Sequence, residues 1–454
     1  MTDISGITKI LSDYIAASQA AHLPTEVQAH AKHHILDTFA AMISGSTLKA
    51  GPLILAYVHS EKGGPEAQVA GSSVLTSASL AALANGTYAH ADETDDSHAA
   101  SGTHPGCAVV PTALAMAERM GSNGAAFLRA VVAGYDVGCR VGRALQPESV
   151  SDKGHSNRSL GNVFGATAAA ASLAQLDAAR IGCALSYTAQ QAAGIGSYIR
   201  ARDHVEKAFS LGGMPARNAV TAVHLAQAGA AETADPFYGE RNFLQAFSPD
   251  PKPEELVRGL GSEFEITQTS IKRFCVGSPI QAPLEALFAI TAEHPLASAD
   301  VERVIVHLPV HRAATVNNRD MADVSLQHII ALALLRGEVT FTAVHDDSLM
   351  ADPRILALKT RIDLVPDPQL FDPNLPRQVL LEVVTRDGQR FSRRLKTYRG
   401  TPENPATTTD IEEKTRDLVA PVIGSAQGEE LIGAVRSLET VEDMRQFRSL
   451  LAPH

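Results

Sequence analysis

Hydrophobic residues recur at helical spacing through the first part of the chain, up to about residue 265. In residues 24–46 this spacing predicts a helix with Thr25 as its N-cap and Gly45 at its end. The apolar positions of this helix are Val27, Ile35, Leu36, Phe39 and Ile43. Further alanine-rich segments repeat the pattern without the alternation of strands: 77–91, 111–121, 161–177 and 215–229. An all-helical domain over residues 1–265 is therefore predicted.

The pattern changes after residue 265. Residues 301–310 are a short segment rich in β-branched side chains, which is typical of a strand. Residues 378–398 form two strand-like runs around Asp387-Gly388, a dipeptide typical of hairpin turns. A helical pattern lies between these segments, in residues 325–337. We therefore expect a smaller α+β domain over residues 266–402.

The C-terminal residues return to an amphipathic helical pattern after a proline-rich linker, residues 398–410. We expect residues 403–454 to form helices that pack back on the first domain. The predicted fold class is mainly α, with a large all-helical domain and a smaller α+β lid domain.

Composition and charge exclude several classes of partner. The net charge of the 454-residue chain is −11 at pH 7, whereas nucleic acids and anionic membranes attract proteins with an excess of lysine and arginine. The N-terminus lacks a basic stretch followed by an apolar block, and no run of about 18 apolar residues occurs, so neither a signal peptide nor a membrane span is expected. The four cysteines are far apart and form no CxxC pair, which favours a reducing, cytoplasmic setting over disulfides or a zinc knuckle.

The stretch HADETDDSHAASGTHPG, residues 90–106, concentrates four carboxylates and three imidazoles between two helical segments that look buried. Three interpretations compete: a solvated polar loop, a metal site, and an acid–base site. Uncompensated carboxylates are costly in a protein core, which makes the solvated loop less favoured. Within the stretch, Asp95 could simply cap the next helix, His98 could be solvated, and Cys107 beside it is expected to pack rather than react.

Three later motifs add basic groups. Residues 152–166 place His155 ahead of a helix entered through Gly161 and Gly165, and residues 203–219 place Lys207 before a Gly-Gly turn. Lys272 lies where the two predicted domains meet. Each lysine alone would most often be a surface residue. Together they are what a substrate with several carboxylates requires.

These residues resemble the motifs of the MmgE/PrpD family of 2-methylcitrate dehydratases, which includes cis-aconitate decarboxylase and iminodisuccinate epimerase. The resemblance runs from about residue 30 to 400. Its most specific motif is His-x-x-acid-x-Asp-Asp-Ser/Thr followed by His-Pro. The matching positions are His90, Glu93, Asp95, Asp96, Ser97, His104 and Pro105.

The resemblance implies an all-helical domain with an α+β lid, usually as a homodimer, and an active site in which Lys272 faces the 90–106 stretch. It implies small di- or tricarboxylate substrates and neither a metal nor a cofactor. The catalytic residues expected on this basis are His104, His155, Asp96, Lys207 and Lys272. The substrate-binding residues expected are His90, Glu93, Ser97 and His328.

The chain departs from the family pattern at several positions. Glu93 stands where relatives carry Asp, and one residue is inserted between Ser97 and His104. Gly277 replaces a histidine, and His328 aligns with a tyrosine of the decarboxylases. We therefore expect shared core chemistry on a different substrate.

The chemistry required is removal of a proton next to a carboxylate, which creates negative charge that fixed cations must stabilise. His104 or His155 is the expected base, and the lysines would hold the carboxylates. Asp96 and Glu93, as close acids, could keep one proton for a departing hydroxyl. The prediction is a metal-independent lyase of dehydratase type. An isomerase, epimerase or decarboxylase on the same site remains open, as does a metal-dependent hydrolase.

Overall fold

A computed structural model describes residues 6–231, 235–372, 375 and 377–453. Its internal contacts divide the chain into two compact units. The larger unit comprises the described residues of Met1–Ala91, Asp95–Ile271 and Ile411–His454. The smaller unit comprises the described residues of Asp92–Thr94 and Lys272–Asp410. Three residues of the 90–106 stretch therefore belong to the smaller unit.

The larger unit is built from helices, as predicted. Its α-helices are Ile7–Ser18, Thr25–Gly45, Ala50–Glu61, Ala78–Ala89, Gly106–Met120, Gly124–Ala144, Pro147–Asp152, Asn157–Leu173, Ala178–Gln191, Val205–Ala208, Met214–Gln227 and Phe243–Phe247, with Ser425–Arg436 and, from Ile411 onward, Thr408–Ile423 from the C-terminal part. Short 3-10 helices are Gly196–Arg200, Pro253–Leu256, Glu265–Gln268, Leu438–Thr440 and Met444–Ser449. Two short antiparallel strands, Ala67–Gln68 and Leu75–Thr76, complete it.

Two predicted helix starts are wrong. Thr25 is the first helical residue rather than the cap; Pro24 precedes it, with its φ of −56° already set for a helix start. The helix that follows His155 was predicted to start at Gly161. It begins at Asn157 instead, because the Ser156 hydroxyl caps it by accepting a hydrogen bond from the Ser159 amide.

Gly161 and Gly165 instead allow helix Asn157–Leu173 to lie close to helix Gly124–Ala144. A Cβ atom on Gly165 would lie 2.6 Å from the carbonyl oxygen of Gly134, and one on Gly161 would lie 2.9 Å from that of Gly138. Both distances are shorter than a side chain tolerates. These glycines therefore serve helix packing.

The predicted Gly-Gly turn after Lys207 is also wrong. Helix Val205–Ala208 continues through a π-helical segment, Phe209–Gly213, into helix Met214–Gln227. A Cβ atom on Gly212 would lie 1.9 Å from the carbonyl oxygen of Gly86. Gly212 is required by this close approach to helix Ala78–Ala89, not by a turn.

The smaller unit contains a four-stranded sheet. Its strands, in spatial order, are Ile362–Pro366, Val301–Leu308, Val379–Thr385 and Arg390–Leu395. The first pair is parallel and the other two are antiparallel. The predicted hairpin is confirmed, with Gly388 at φ 86° in its turn. The strand Ile362–Pro366 was not predicted.

The α-helices of the smaller unit are Ser278–Glu293, Val310–Val316, Leu326–Arg336, Phe341–Val344 and Pro353–Lys359. Its 3-10 helices are Ala322–Val324, Asp347–Ala351 and Pro368–Leu370. Helix Ser278–Glu293 packs on strands Val379–Thr385 and Arg390–Leu395. Burial alternates along Val379–Thr385, so every second side chain of this strand faces the interior. The mixture of helix and sheet agrees with the predicted α+β class.

No single helix in the described part of the chain is both long and apolar enough to cross a membrane. Helices Thr25–Gly45 and Ala50–Glu61 pass that test only as a pair, and they are bent by 84°.

Candidate active site

The 90–106 stretch is a buried loop between helices Ala78–Ala89 and Gly106–Met120. The first helix ends because His90 leaves helical geometry, with φ −118° and ψ 23°. The acidic side chains that follow are almost fully buried, Asp95 at 0% and Asp96 at 1% exposure. The interpretation as a solvated polar loop is therefore wrong.

Asp95 joins two histidines of the larger unit. One of its carboxylate oxygens, Oδ2, lies 2.6 Å from Nδ1 of His90 and 3.3 Å from Nδ1 of His104. The two imidazole rings meet edge to face, with centroids 5.0 Å apart. Asp95 does not cap a helix, because the next helix begins only at Gly106. Its carboxylate is instead hydrogen-bonded to the His90 ring and lies within ion-pair distance of the His104 ring.

The two histidines differ in exposure. The His90 side chain is fully buried, whereas 12% of the His104 side chain is exposed. Asn162 donates a hydrogen bond of 2.9 Å to the backbone oxygen of His104, which fixes the backbone from which that side chain extends. With Nδ1 turned to Asp95, a neutral His104 ring that carries its hydrogen on Nδ1 has its basic electron pair on Nε2.

The electrostatic surroundings keep His90 neutral. Burial, with the positive charges of Lys207 and of a protonated His104, lowers the pKa of His90 to about 4, although Asp95 opposes the shift. The half-buried Lys207 thus acts on this cluster from helix Val205–Ala208. The structure joins two residues predicted for the site, His90 and His104, to Asp95 as their common partner, and the charge of Lys207 acts on His90.

Asp96 points to a different set of neighbours. Its carboxylate lies 2.8 Å from Nδ1 of His34 and accepts hydrogen bonds from the Tyr135 hydroxyl at 2.5 Å and the Gly106 amide at 3.0 Å. Burial and the nearby Asp96 carboxylate raise the pKa of Tyr135 well above its usual value. These contacts hold the loop to helices Thr25–Gly45 and Gly124–Ala144.

The expectation that Asp96 and Glu93 share a proton stays a prediction; within the smaller unit Glu93 contacts Lys272. The metal-dependent hydrolase left open by the sequence would use His90, Asp96 and His104 as ligands, whereas the Asp96 carboxylate contacts His34 and Tyr135. The signal for His34 was its position seven residues after Val27, on the buried face of its helix. Tyr135 carried no comparable signal.

His98 is buried and bonded, so the expectation of a solvated residue is wrong. Its Nε2 lies 3.1 Å from a carboxylate oxygen of Glu265, and its Nδ1 lies 2.8 Å from the Ser101 hydroxyl. Glu265 also pairs with Arg143 at 2.9 Å. Ser97 exchanges backbone hydrogen bonds of 2.9 Å with Ser270. Both residues fasten the loop to residues 265–270.

His155 lies in a different set of contacts. Its ring meets Phe247 edge to face, with centroids 5.2 Å apart, and its backbone bridges to Ile195. The ring is partly exposed. Among the described residues, no hydrogen bond or ion pair joins this ring to the 90–106 stretch. Its role as the alternative base stays a prediction.

In the smaller unit, Lys272 is fully buried beside Glu93. Its ammonium nitrogen donates to the Glu93 backbone oxygen at 2.8 Å and lies 3.6 Å from the Glu93 carboxylate. A second pair, which sequence reasoning missed, joins His345 Nε2 to Asp92 at 3.3 Å. These two pairs fix residues 92–94 within the smaller unit.

His328 is buried in helix Leu326–Arg336, and neither ring nitrogen has a hydrogen-bond partner among the described residues. Burial, with a smaller effect of Lys359, lowers its pKa to about 4. Gly277 precedes helix Ser278–Glu293, and its amide donates a hydrogen bond to the backbone oxygen of Asp323. The substrate-binding role of His328 and the catalytic role of Lys272 stay predictions.

Cys107 is fully buried at the start of helix Gly106–Met120, as expected of a packing residue. Its thiol donates to the backbone oxygen of His104 at 3.1 Å. Ligand atoms of His90, Asp95 and Cys107 all lie within 4.8 Å of one another. These three residues could therefore hold a metal ion.

A buried carboxylate in contact with two imidazoles of different exposure is suited to acid–base chemistry. Comparison with known families identifies the chain. The MmgE/PrpD N-terminal domain matches residues 9–256, and the MmgE/PrpD C-terminal domain matches residues 274–440. The chain belongs to the MmgE/PrpD family, and the resemblance seen in its motifs is confirmed.

Known relatives cover nearly the whole chain. A cis-aconitate decarboxylase-like protein, oryM, of Aspergillus oryzae is 26% identical over 99% of this chain and 98% of its own length. The cis-aconitate decarboxylase of Homo sapiens is 25% identical, over 99% of this chain and 95% of its own. That of Aspergillus terreus is 22% identical, over 98% and 96%. Family and relatives together indicate an enzyme.

Proposed function

We propose that the chain is a lyase that acts on a small di- or tricarboxylate by removing a proton from the carbon next to a carboxylate. The observation that carries this proposal is the Asp95–His104 pair. It combines a fully buried carboxylate with a partly exposed imidazole 3.3 Å away. The family and the names of its relatives support the choice of substrate class.

His104 is the proposed base. Asp95 favours the tautomer that carries hydrogen on Nδ1, which makes Nε2 the basic nitrogen that takes the substrate proton. The same carboxylate stabilises the imidazolium that forms. The buried His90 stays neutral and donates to Asp95, which limits the freedom of the carboxylate. His90 is therefore proposed to position the pair.

Lys207 is the proposed partner of a substrate carboxylate. Proton removal places a second negative charge beside that carboxylate, and a fixed ammonium group stabilises the charge as it forms. Lys207 acts electrostatically on His90, so its charge lies near the proposed base. The attraction between Lys207 and the substrate becomes stronger as negative charge forms in the transition state. An interaction that strengthens in this way raises the rate of turnover.

The fate of the carbanion decides the reaction class. Loss of a hydroxide on the next carbon, with protonation by an acid, gives an alkene and water. This dehydration is the reaction we propose first. The second candidate, a decarboxylation, does not pass through this carbanion: CO2 leaves, the electron pair of the broken carbon–carbon bond stays on the substrate, and a proton from the site is added to it. The relatives named cis-aconitate decarboxylases favour it. Reprotonation on the other face would give an epimer.

The proposed reaction needs neither a metal nor a cofactor, and we propose that the chain works as a homodimer. Light scattering after size-exclusion chromatography measures the second point directly. A monomeric mass would remove the dimer from the proposal without affecting the chemistry.

A panel of hydroxylated and unsaturated polycarboxylates tests the proposed function. Each compound is incubated in deuterium oxide, and ultraviolet absorbance, CO2 release and deuterium incorporation are followed together. A dehydratase gives new alkene absorbance, a decarboxylase gives CO2, and an epimerase gives deuterium exchange alone. The His104→Ala variant serves as the control. Absence of all three signals across the panel would contradict the proposal.

A further inference from the structure

We propose that His90, Asp95 and Cys107 form an inhibitory binding site for a zinc-like divalent cation. The site is assigned to a borderline-soft ion because its donors are an imidazole nitrogen, a carboxylate oxygen and a thiol sulfur. The inhibitory part rests on the proposed function, in which Asp95 orients the base. The binding part rests on the cluster alone.

The cluster has the compactness that a cation requires. The three ligand atoms lie within 4.8 Å of one another. Ligands of a tetrahedral zinc ion lie roughly 3.5 Å apart, since each bond is about 2.0–2.3 Å long. The donors therefore have to close in by about 1 Å, which side-chain adjustment can supply. His104 Nδ1, 3.3 Å from Asp95, or a water molecule can take the fourth position.

Two features of the donors favour a bound cation. Nδ1 of the fully buried His90 lies 2.6 Å from the Asp95 carboxylate, so a cation that replaces the hydrogen between them can bind both donors. Cys107 is the second residue of the 15-residue helix Gly106–Met120, where the helix dipole stabilises a thiolate. A neutral imidazole that already faces a carboxylate and a thiol at a helix start are both ready to become ligands.

Binding would disable the proposed base. The thiol of Cys107 gives up its proton to solvent, and the sulfur binds the cation as a thiolate. The Asp95 oxygen that now faces both histidines becomes a ligand, so its charge no longer supports an imidazolium on His104. The cation would thus act as a reversible inhibitor of an enzyme that needs no metal for turnover.

Cobalt(II) tests binding without reference to activity. The intact wild-type protein is titrated with cobalt(II) under reducing conditions, and the thiolate-to-metal charge-transfer absorbance is recorded. We expect this band in wild type and its loss in Cys107→Ser. Cys183→Ser is the matched control, because Cys183 is also a buried thiol that donates to a backbone oxygen, that of Ala230, at 3.2 Å. It should retain the band.

Zinc(II) tests the affinity and the inhibition. By equilibrium dialysis, Cys107→Ser should bind zinc at least about 10- to 100-fold more weakly than wild type, since even outer-shell partners contribute that much. Zinc should suppress wild-type turnover and EDTA should restore it. A wild-type protein without the thiolate band, or a band that persists in Cys107→Ser, overturns the site. A Cys107-dependent band without inhibition leaves the site standing and contradicts the assigned base instead.

Discussion

Nδ1 of His104 lies 3.3 Å from the carboxylate of Asp95, and the same oxygen lies 2.6 Å from Nδ1 of His90. One buried carboxylate therefore serves two imidazoles of different exposure. The fully buried ring can only position its partner, whereas the partly exposed ring can reach a substrate. The first predictions rest on this difference between the buried His90 and the partly exposed His104.

Replacement of His104 by alanine should cut turnover by about two to four orders of magnitude, the usual contribution of a general base. The melting temperature should stay nearly unchanged, because this side chain is the exposed member of the cluster. Steady-state kinetics and a thermal melt measure the two effects. His22→Ala, at an exposed position, is the control. A His104→Ala protein that unfolds would show that the residue is structural.

Substitutions of the adjacent residues Asp95 and Asp96 should affect different properties, activity in the first case and stability in the second. Asp95→Asn removes the charge that supports an imidazolium and should lower turnover by about 10²–10⁴-fold. Asp96→Asn disturbs the bonds to His34, Tyr135 and Gly106, and should lower the free energy of unfolding by about 1–3 kcal/mol. Its effect on turnover should be the smaller of the two.

Urea denaturation and turnover measured well below the melting temperature provide this comparison. If Asp96→Asn loses as much turnover as Asp95→Asn while it stays folded, then Asp96 takes part in the chemistry, as its motif suggested.

Lys207→Ala should raise the Michaelis constant for a polycarboxylate by about 10- to 100-fold, because a charge-assisted hydrogen bond contributes roughly 1.5–3 kcal/mol. Turnover at saturation should also fall, since the negative charge grows in the transition state. Lys153→Ala, at an exposed lysine, should match wild type in both constants. Equal kinetics for Lys207→Ala at subsaturating substrate would place Lys207 outside the site.

Local patterns were sufficient to predict most of the fold. Helical spacing is a local property, and so is the hairpin at Asp387-Gly388, because its strands are neighbours in the sequence. Strand Ile362–Pro366 escaped prediction because it is five residues long and pairs in parallel with Val301–Leu308, far away in the chain. Such a pairing leaves no local signal.

The sequence indicated residue types for the candidate site but no pairings, and the roles of these residues stay predictions. The 90–106 motif contains His90 and His104, and a later motif contains Lys207, but neither could decide which of two consecutive aspartates faces His90 and His104. Asp95 and Asp96 turn to different neighbours because the loop backbone between them is irregular. The main partner of Asp96, His34, lies 62 residues away and was found only in the folded chain.

Prolonged dialysis against EDTA should leave turnover intact, because Lys207 supplies the positive charge that a metal would otherwise provide. Residual inhibitory zinc would make EDTA raise the rate. Assays before and after dialysis, with elemental analysis of the protein, measure the effect. Loss of turnover that one divalent ion restores would contradict a metal-independent reaction.

Glu118 should make the protein less stable as the pH rises toward neutrality. It is 2% exposed, and burial raises its pKa from 4.5 to about 7, although Arg448 at 2.5 Å and the Gln68 amide oppose the shift. Asp443 adds to it. A folded-state pKa above the unfolded one means that the folded protein binds more protons between these values. The stability that Glu118 contributes is therefore complete below pH 4.5 and is lost as the pH passes through about 7.

The Glu118→Gln variant does not titrate at this position, so it removes that loss. Between pH 5 and 8, the free energy of unfolding of wild type should fall relative to Glu118→Gln by up to about 3 kcal/mol, because a shift of one pKa unit corresponds to about 1.4 kcal/mol. Urea denaturation at several pH values measures the difference in the free energy of unfolding between the two proteins. The contributions of the other titrating groups cancel in that difference. Glu61→Gln, at an exposed glutamate, should follow wild type. If wild type gains stability over Glu118→Gln as the pH rises, then Arg448 outweighs burial and the carboxylate is charged in the folded protein.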